Sequence, residues 1–157
     1  MEGGVAWRRH NYEHERFVSP QDLKKALVGE GFEVFRIAEG AVVLAERVRE
    51  NLILDSGVRV VANPMEIKIV FRVQQSDFPQ EEENALFTRA RSLAAIATPH
   101  GFNEVATAVS NVSDPADASR ILDTFYEVTV ACGVGSIADA IPLLKTVLAF
   151  EKTPAAS

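Results

Sequence analysis

Glu66-Ile67-Lys68-Ile69-Val70-Phe71-Arg72-Val73 carries the cleanest period of two in the chain. Ile67, Ile69, Phe71 and Val73 alternate with Glu66, Lys68 and Arg72, the pattern of one strand with a buried face and a wet one. Such a strand needs sheet neighbours and a layer of helices to cover its apolar side. Candidates for both lie to either side of it.

Toward the N-terminus, residues 58–61 read as a short strand between two turn signals, Asp55-Ser56-Gly57 and Asn63-Pro64. Residues 32–37 are aromatic and branched, and Glu39-Gly40 suits a turn into Ala41-Val42-Val43-Leu44. Residues 41–54 send two signals. Val42, Leu44 and Val48 with alternating charges fit a strand, whereas Ala45, Glu46, Arg47 and Glu50 are good helix formers. The strand reading is preferred. Before these, Ser19-Pro20-Gln21-Asp22 combines a cap, a first-turn proline and an acid at the positive helix end. Leu23, Ala26 and Leu27 follow at helical spacing and Gly29 and Gly31 stop it, which predicts a helix over about 20–30.

Toward the C-terminus, Pro79 followed by Gln80-Glu81-Glu82-Glu83 reads as a helix start. Leu86, Ala90, Leu93, Ala94 and Ala97 then form an apolar stripe over a helix at 82–97, which Thr98-Pro99-His100-Gly101 ends. Residues 103–112 read as a strand, Asp114-Pro115-Ala116-Asp117 as a break, and residues 123–132 as the next strand, closed by Gly133 and Gly135. A last helix runs to about 150, with Ile141, Leu144, Val147 and Leu148 on its buried face. Taking Asp139 as its cap places Pro142 in the first turn, where a missing amide costs nothing.

The fold class that follows is α+β. A mainly antiparallel sheet is covered by two or three helices in the order α-β-β-β-β-α-β-β-α. Residues 1–18 form an N-terminal arm, 19–152 a single domain and 153–157 a frayed tail. The 157 residues suit one domain, and 47% hydrophobic with 24% charged side chains is an ordinary globular balance. A net charge of −6 disfavours a nucleic-acid partner, because the basic groups Arg8-Arg9-His10 and Arg47/Arg49 are interleaved with glutamates. Cys132 is the one cysteine, so no internal disulfide forms. The start lacks the apolar run of a secretory leader, and no stretch approaches the ~20 apolar residues of a membrane span. A cytoplasmic location is expected, without a membrane partner.

No catalytic residue, metal site or cofactor is assigned from the sequence. His10 and His14 stand four apart, but Asn11 occupies the place of the glutamate that a zinc-protease motif requires. Their role as a metal pair stays open. His100 suits a helix end, where its charge favours the dipole. Cys132 falls on the strand face of Tyr126, Val128 and Val130, as a small hydrophobe. Gly133-Val134-Gly135-Ser136 lacks the lysine of a phosphate loop and reads as a strand-to-helix turn. The acids at 81–83, with Asp77 before them, diverge around a helix and cannot converge on one ion. Asp114 and Asp117 read as turn residues, and no Gly-x-Ser-x-Gly occurs.

In element order and acidity, from Ser19 to about Phe150, the chain resembles the type III secretion chaperone-like fold. The arm and the helix-forming residues at 41–50 depart from that pattern. The resemblance implies a small, acidic, cytoplasmic protein that is usually a homodimer. The leading expectation is therefore a non-enzymatic protein-binding module, a chaperone-like adaptor or small scaffold. Its arm would meet an unidentified protein partner in trans through Trp7, Tyr12 and Phe17. The alternative is a small-molecule-binding domain or enzyme, with a pocket between the sheet and helix 82–97 lined by Thr107, Asn111, Tyr126, Thr129 and Cys132.

Overall fold

The computed structural model describes residues 17–154. Its elements are helix α1 (Pro20–Gly29), strands β1 (Val34–Ala38), β2 (Ala41–Arg49), β3 (Leu52–Val61) and β4 (Glu66–Gln74), helix α2 (Glu83–Ala94), strands β5 (Asn103–Asp114) and β6 (Asp117–Gly133), and helix α3 (Ile137–Val147). The strands form one six-stranded antiparallel sheet in the order β1-β2-β3-β4-β6-β5. This is the α+β order expected from the sequence. The described residues group into two compact units, one ending at Ile67 and resuming over Gly133–Ile141, the other comprising Lys68–Cys132 and the chain from Pro142 onward.

In the first unit, α1 forms for the reasons its sequence states. Ser19 Oγ accepts the Asp22 amide at 3.1 Å and Pro20 takes the first helical position. The helix buries Leu23 and Leu27, and the chain leaves through Gly31 at φ +94°, a left-handed conformation that suits glycine. Glu39 and Gly40 both have positive φ, which matches the right-handed twist of the β1–β2 hairpin. The strand preference over 41–54 holds, with one correction. The chain reverses at Glu50-Asn51, and Asp55-Ser56-Gly57 lies inside β3.

The turn chemistry at Asp55 is present but makes a bulge instead. Asp55 Oδ1 accepts the Gly57 amide at 2.7 Å, Ser56 Oγ accepts that of Val58 at 3.1 Å, and Gly57 sits at φ +82°. The register accordingly jumps from Val43↔Arg59 to Ala45↔Asp55, and Arg59 spans the bulge with two bonds to the Asp55 carboxylate at 2.9 and 2.7 Å. Gly57→Ala therefore costs stability: a side chain held in the left-handed region loses about 1–2 kcal/mol, read as a lower urea midpoint. An unchanged midpoint would show that the bulge tolerates a Cβ.

In the second unit, β4 keeps its period of two, with Ile69, Phe71 and Val73 buried. Helix α2 begins at Glu83, within one residue of the expected 82–97, although the start signal stands at Pro79. Gln75 keeps residues 78–81 out of the helix. Its Nε2 donates to the carbonyls of Phe78 (3.1 Å) and Glu81 (2.9 Å), and the Glu81 amide returns to Phe78, so residues 78–81 close a turn. Leu86, Ala90, Ala94 and Ala97 form the buried stripe, and Gly101 at φ +90° ends the 3-10 turn Ala95–His100. The His100 ring rests on Phe150, with centroids 5.6 Å apart.

Helix α3 also differs from expectation. Ser136, not Asp139, caps it: its hydroxyl accepts the Asp139 amide at 3.2 Å, and its carbonyl accepts that of Ala140. A serine cap outcompetes because it lies directly before the first helical residue, whereas Asp139 is already inside the first turn. Pro142 thus falls beyond that turn, in the helix interior.

Candidate functional site

Strands β5 and β6 make a long antiparallel hairpin, paired from Asn103↔Ala131 to Asp114↔Asp117. Its tip is held by aspartates. Asp114 Oδ1 accepts the Ala116 amide at 2.9 Å, and Asp117 Oδ1 accepts the Ser119 amide at 3.1 Å and hydroxyl at 2.6 Å. These bonds hold the Asp117 carboxyl below its usual range. Between Ala106↔Thr129 and Val112↔Asp123 the register is unbroken.

The two strands differ in cover. Tyr126 packs edge-on against Phe87 of α2, centroids 5.4 Å apart, and Tyr126, Val128 and Val130 are buried. Val109 and Thr107 pair with Tyr126 and Val128 and share their face, yet both are exposed. Every β5 residue except Asp114 is exposed. The sheet order ends at β5, so its outer edge has no strand partner among the described residues. Val105, Val109, Val112, Ile121 and Leu122 are exposed along the hairpin, with Val109 on the Tyr126 face and Val112 on the opposite one.

Charged groups anchor the base of the hairpin. Arg91 of α2 grips Glu104 through Nε at 2.8 Å, and the hydrogen bond from Arg91 holds the Glu104 carboxyl below its ordinary value. Arg89 binds Glu81 at 2.8 Å and lies over the Phe78 ring at 3.9 Å. Asp123, opposite Val112 toward the tip of the hairpin, accepts the Ser76 hydroxyl (2.6 Å) and amide (3.1 Å), the Thr124 amide (2.8 Å) and Gln74 Nε2 (3.3 Å). Burial acts to raise its pKa, but these bonds outweigh burial and hold it below the ordinary carboxylate value.

The residues named from the sequence fall as follows. Thr107, Asn111 and Tyr126 share one face of the hairpin, whereas Thr129 pairs with Ala106 and alternates to the opposite face. Thr107 and Asn111 are exposed, Asn111 Oδ1 accepting the Thr124 hydroxyl at 3.0 Å, and the buried Tyr126 directs its hydroxyl to Gln75 at 3.3 Å. Cys132 is half-buried, its thiol 3.8 Å from the His100 carbonyl. Phe17 is 67% exposed. Trp7, Tyr12, His10 and His14 lie outside the described residues. Among the described residues, no three His, Cys, Asp or Glu side chains gather as a metal site, and no helix is long and apolar enough to cross a membrane.

A separate cavity of about 720 Å³ lies in the first unit, lined by Phe17, Val18, Pro64, Met65, Val134 and Ile137 with Asn63, Gly135 and Ser136 among them. The polar groups there are engaged. Asn63 accepts the Val18 amide at 3.1 Å and donates to its carbonyl at 2.8 Å, and Ser136 caps α3.

Sequence reading passed over the apolar hairpin, because Val105, Val109 and Val112 look like the buried positions of any strand. Compared with known proteins, the chain matches no family model, no curated protein sequence and no solved structure.

Proposed function

We propose that the chain is a non-enzymatic protein-binding module, a chaperone-like adaptor or small scaffold, working as a homodimer in the cytoplasm. The observation that carries this reading is the β5–β6 hairpin, with Val105, Val109, Val112, Ile121 and Leu122 exposed along it. Exposed apolar side chains in this number, Val109 on the Tyr126 face and Val112 on the other, favour burial against another protein. The net charge of −6 argues against a polyanionic partner. The exposed Phe17 supports the arm, with Trp7 and Tyr12, as the contact for a second protein.

A photo-reactive benzophenone side chain in place of Phe17 tests the partner contact. The reading expects an adduct with one identified protein, lost when excess unlabelled chain competes. Self-adducts alone, or none, contradict it.

The cavity near Phe17 favours a second reading, small-molecule binding, since such pockets span about 300–1,000 Å³ and are mostly apolar. A thermal-shift screen of metabolites separates the two. Stabilisation that Met65→Trp abolishes supports the pocket, and a flat screen removes it.

A further inference from the structure

We propose that the outer edge of β5 is the contact between two copies of this chain, paired antiparallel about a two-fold axis at Val109. The proposal rests on the homodimer reading above and names its surface.

Proteins protect sheet edges with charges, prolines, bulges or short strands. The edge strand β1 follows that rule: it is five residues long, and its register shifts between Val34 and Arg36. Strand β5 is built the other way. It has twelve residues, an unbulged stretch from Ala106 to Val112, and neither charge nor proline between Val105 and Ser113. Its backbone offers a row of amides and carbonyls that another extended strand satisfies.

A second copy fits this edge by size and by charge. Of the residues 103–122, all but Asp114 are exposed, matching the roughly 20–30 residues that each partner gives to a stable interface. With the axis at Val109, that residue meets itself, Ala106 meets Val112, Thr107 meets Asn111, and Ala108 and Val105 meet Ser110 and Ser113, so no charged side chain is set against an apolar one between 105 and 113. The two ends place Glu104 opposite Asp114 of the second copy. Each acid already carries an arginine, Arg91 on Glu104 at 2.8 Å and Arg120 on Asp114 at 3.6 Å. Pairing therefore brings acid–arginine pairs together with alternating sign instead of two bare carboxylates. A highly charged peptide would find no countercharge along 105–113. The symmetric, isologous pairing also closes on itself, so it stops at a dimer instead of growing into a fibre.

Two variants in a Cys132→Ser background test the geometry. Residues directly opposite in antiparallel strands have Cβ atoms about 4.5–5.5 Å apart, a spacing a disulfide can close with small adjustment. Under copper-phenanthroline oxidation, Val109→Cys is expected to run as a covalent dimer on a non-reducing gel, and Thr107→Cys to stay monomeric. Separately, Val109→Lys sets two ammonium groups face to face and is expected to weaken dimerisation about 100-fold by sedimentation equilibrium. Val109 is 49% exposed, so the lysine monomer keeps the far-ultraviolet circular dichroism of wild type. If wild type dimerises while the cysteine fails to cross-link and the lysine leaves affinity unchanged, this interface is wrong and the dimer reading survives. If wild type stays monomeric, both fall.

Discussion

Phe71→Ala lowers the unfolding free energy by about 3–5 kcal/mol, the range for truncating a buried aromatic side chain. Phe71 lies on the buried face of β4, between Ile69 and Val73, and is wholly shielded from solvent. The truncation removes favourable burial and leaves a cavity that a strand held on both sides cannot collapse. A domain has about 5–15 kcal/mol in total, so the variant sits near the edge of folding at 37 °C. Urea denaturation followed by circular dichroism measures the loss. A loss below about 1 kcal/mol would contradict the packing of β4, because only exposed sites are that tolerant.

Asp123→Ala is the second large effect, at about 2 kcal/mol near neutral pH, because hydrogen bonds to a charged acceptor are worth more than neutral ones. One carboxylate satisfies the Ser76 amide and hydroxyl, the Thr124 amide and Gln74. Its removal releases the turn after β4 from β6. The effect also carries a pH signature. The folded carboxyl titrates below its ordinary value, so its contribution is complete above the unfolded pKa of about 4 and disappears as pH falls through the folded value. The gap between wild type and Asp123→Ala should close in acid, measured as urea midpoints from pH 7 downward. Glu33, Glu81 and Glu104, each lowered first by an arginine hydrogen bond, shift wild-type stability in the same direction. A gap that persists below pH 2 would show that the side chain acts through packing and not through its charge.

Local signals in the chain were legible wherever one periodicity or one cap decided the outcome. The alternation from Ile67 to Val73 and the Ser19-Pro20 helix start needed no distant partner, and both stand as read. The misreadings share a cause. Asp55-Ser56-Gly57 has the chemistry of a turn, but the same Asx bond and left-handed glycine serve a bulge, and pairing with β2 selects the bulge. The Pro79 signal lies outside α2 because Gln75, several residues upstream, ties down Phe78 and Glu81. Ser136 displaced Asp139 as a cap by position alone.

The candidate site was the least legible part. An apolar strand residue reads the same whether it is covered or bare, and cover depends on strand order, which is not local. Residues 103–112 precede 123–132 in sequence, yet β6 sits beside β4 and leaves β5 outermost. That order leaves Val109 at the surface. One part was open to a stricter reading: Thr129 is three residues from Tyr126, so period two alone sets them on opposite faces.

Sedimentation equilibrium of the wild-type chain across a hundredfold range of concentration decides whether two copies associate. A homodimer gives a species of twice the 17.1 kDa chain mass at the upper end, dissociating on dilution. A single 17.1 kDa species throughout would contradict it.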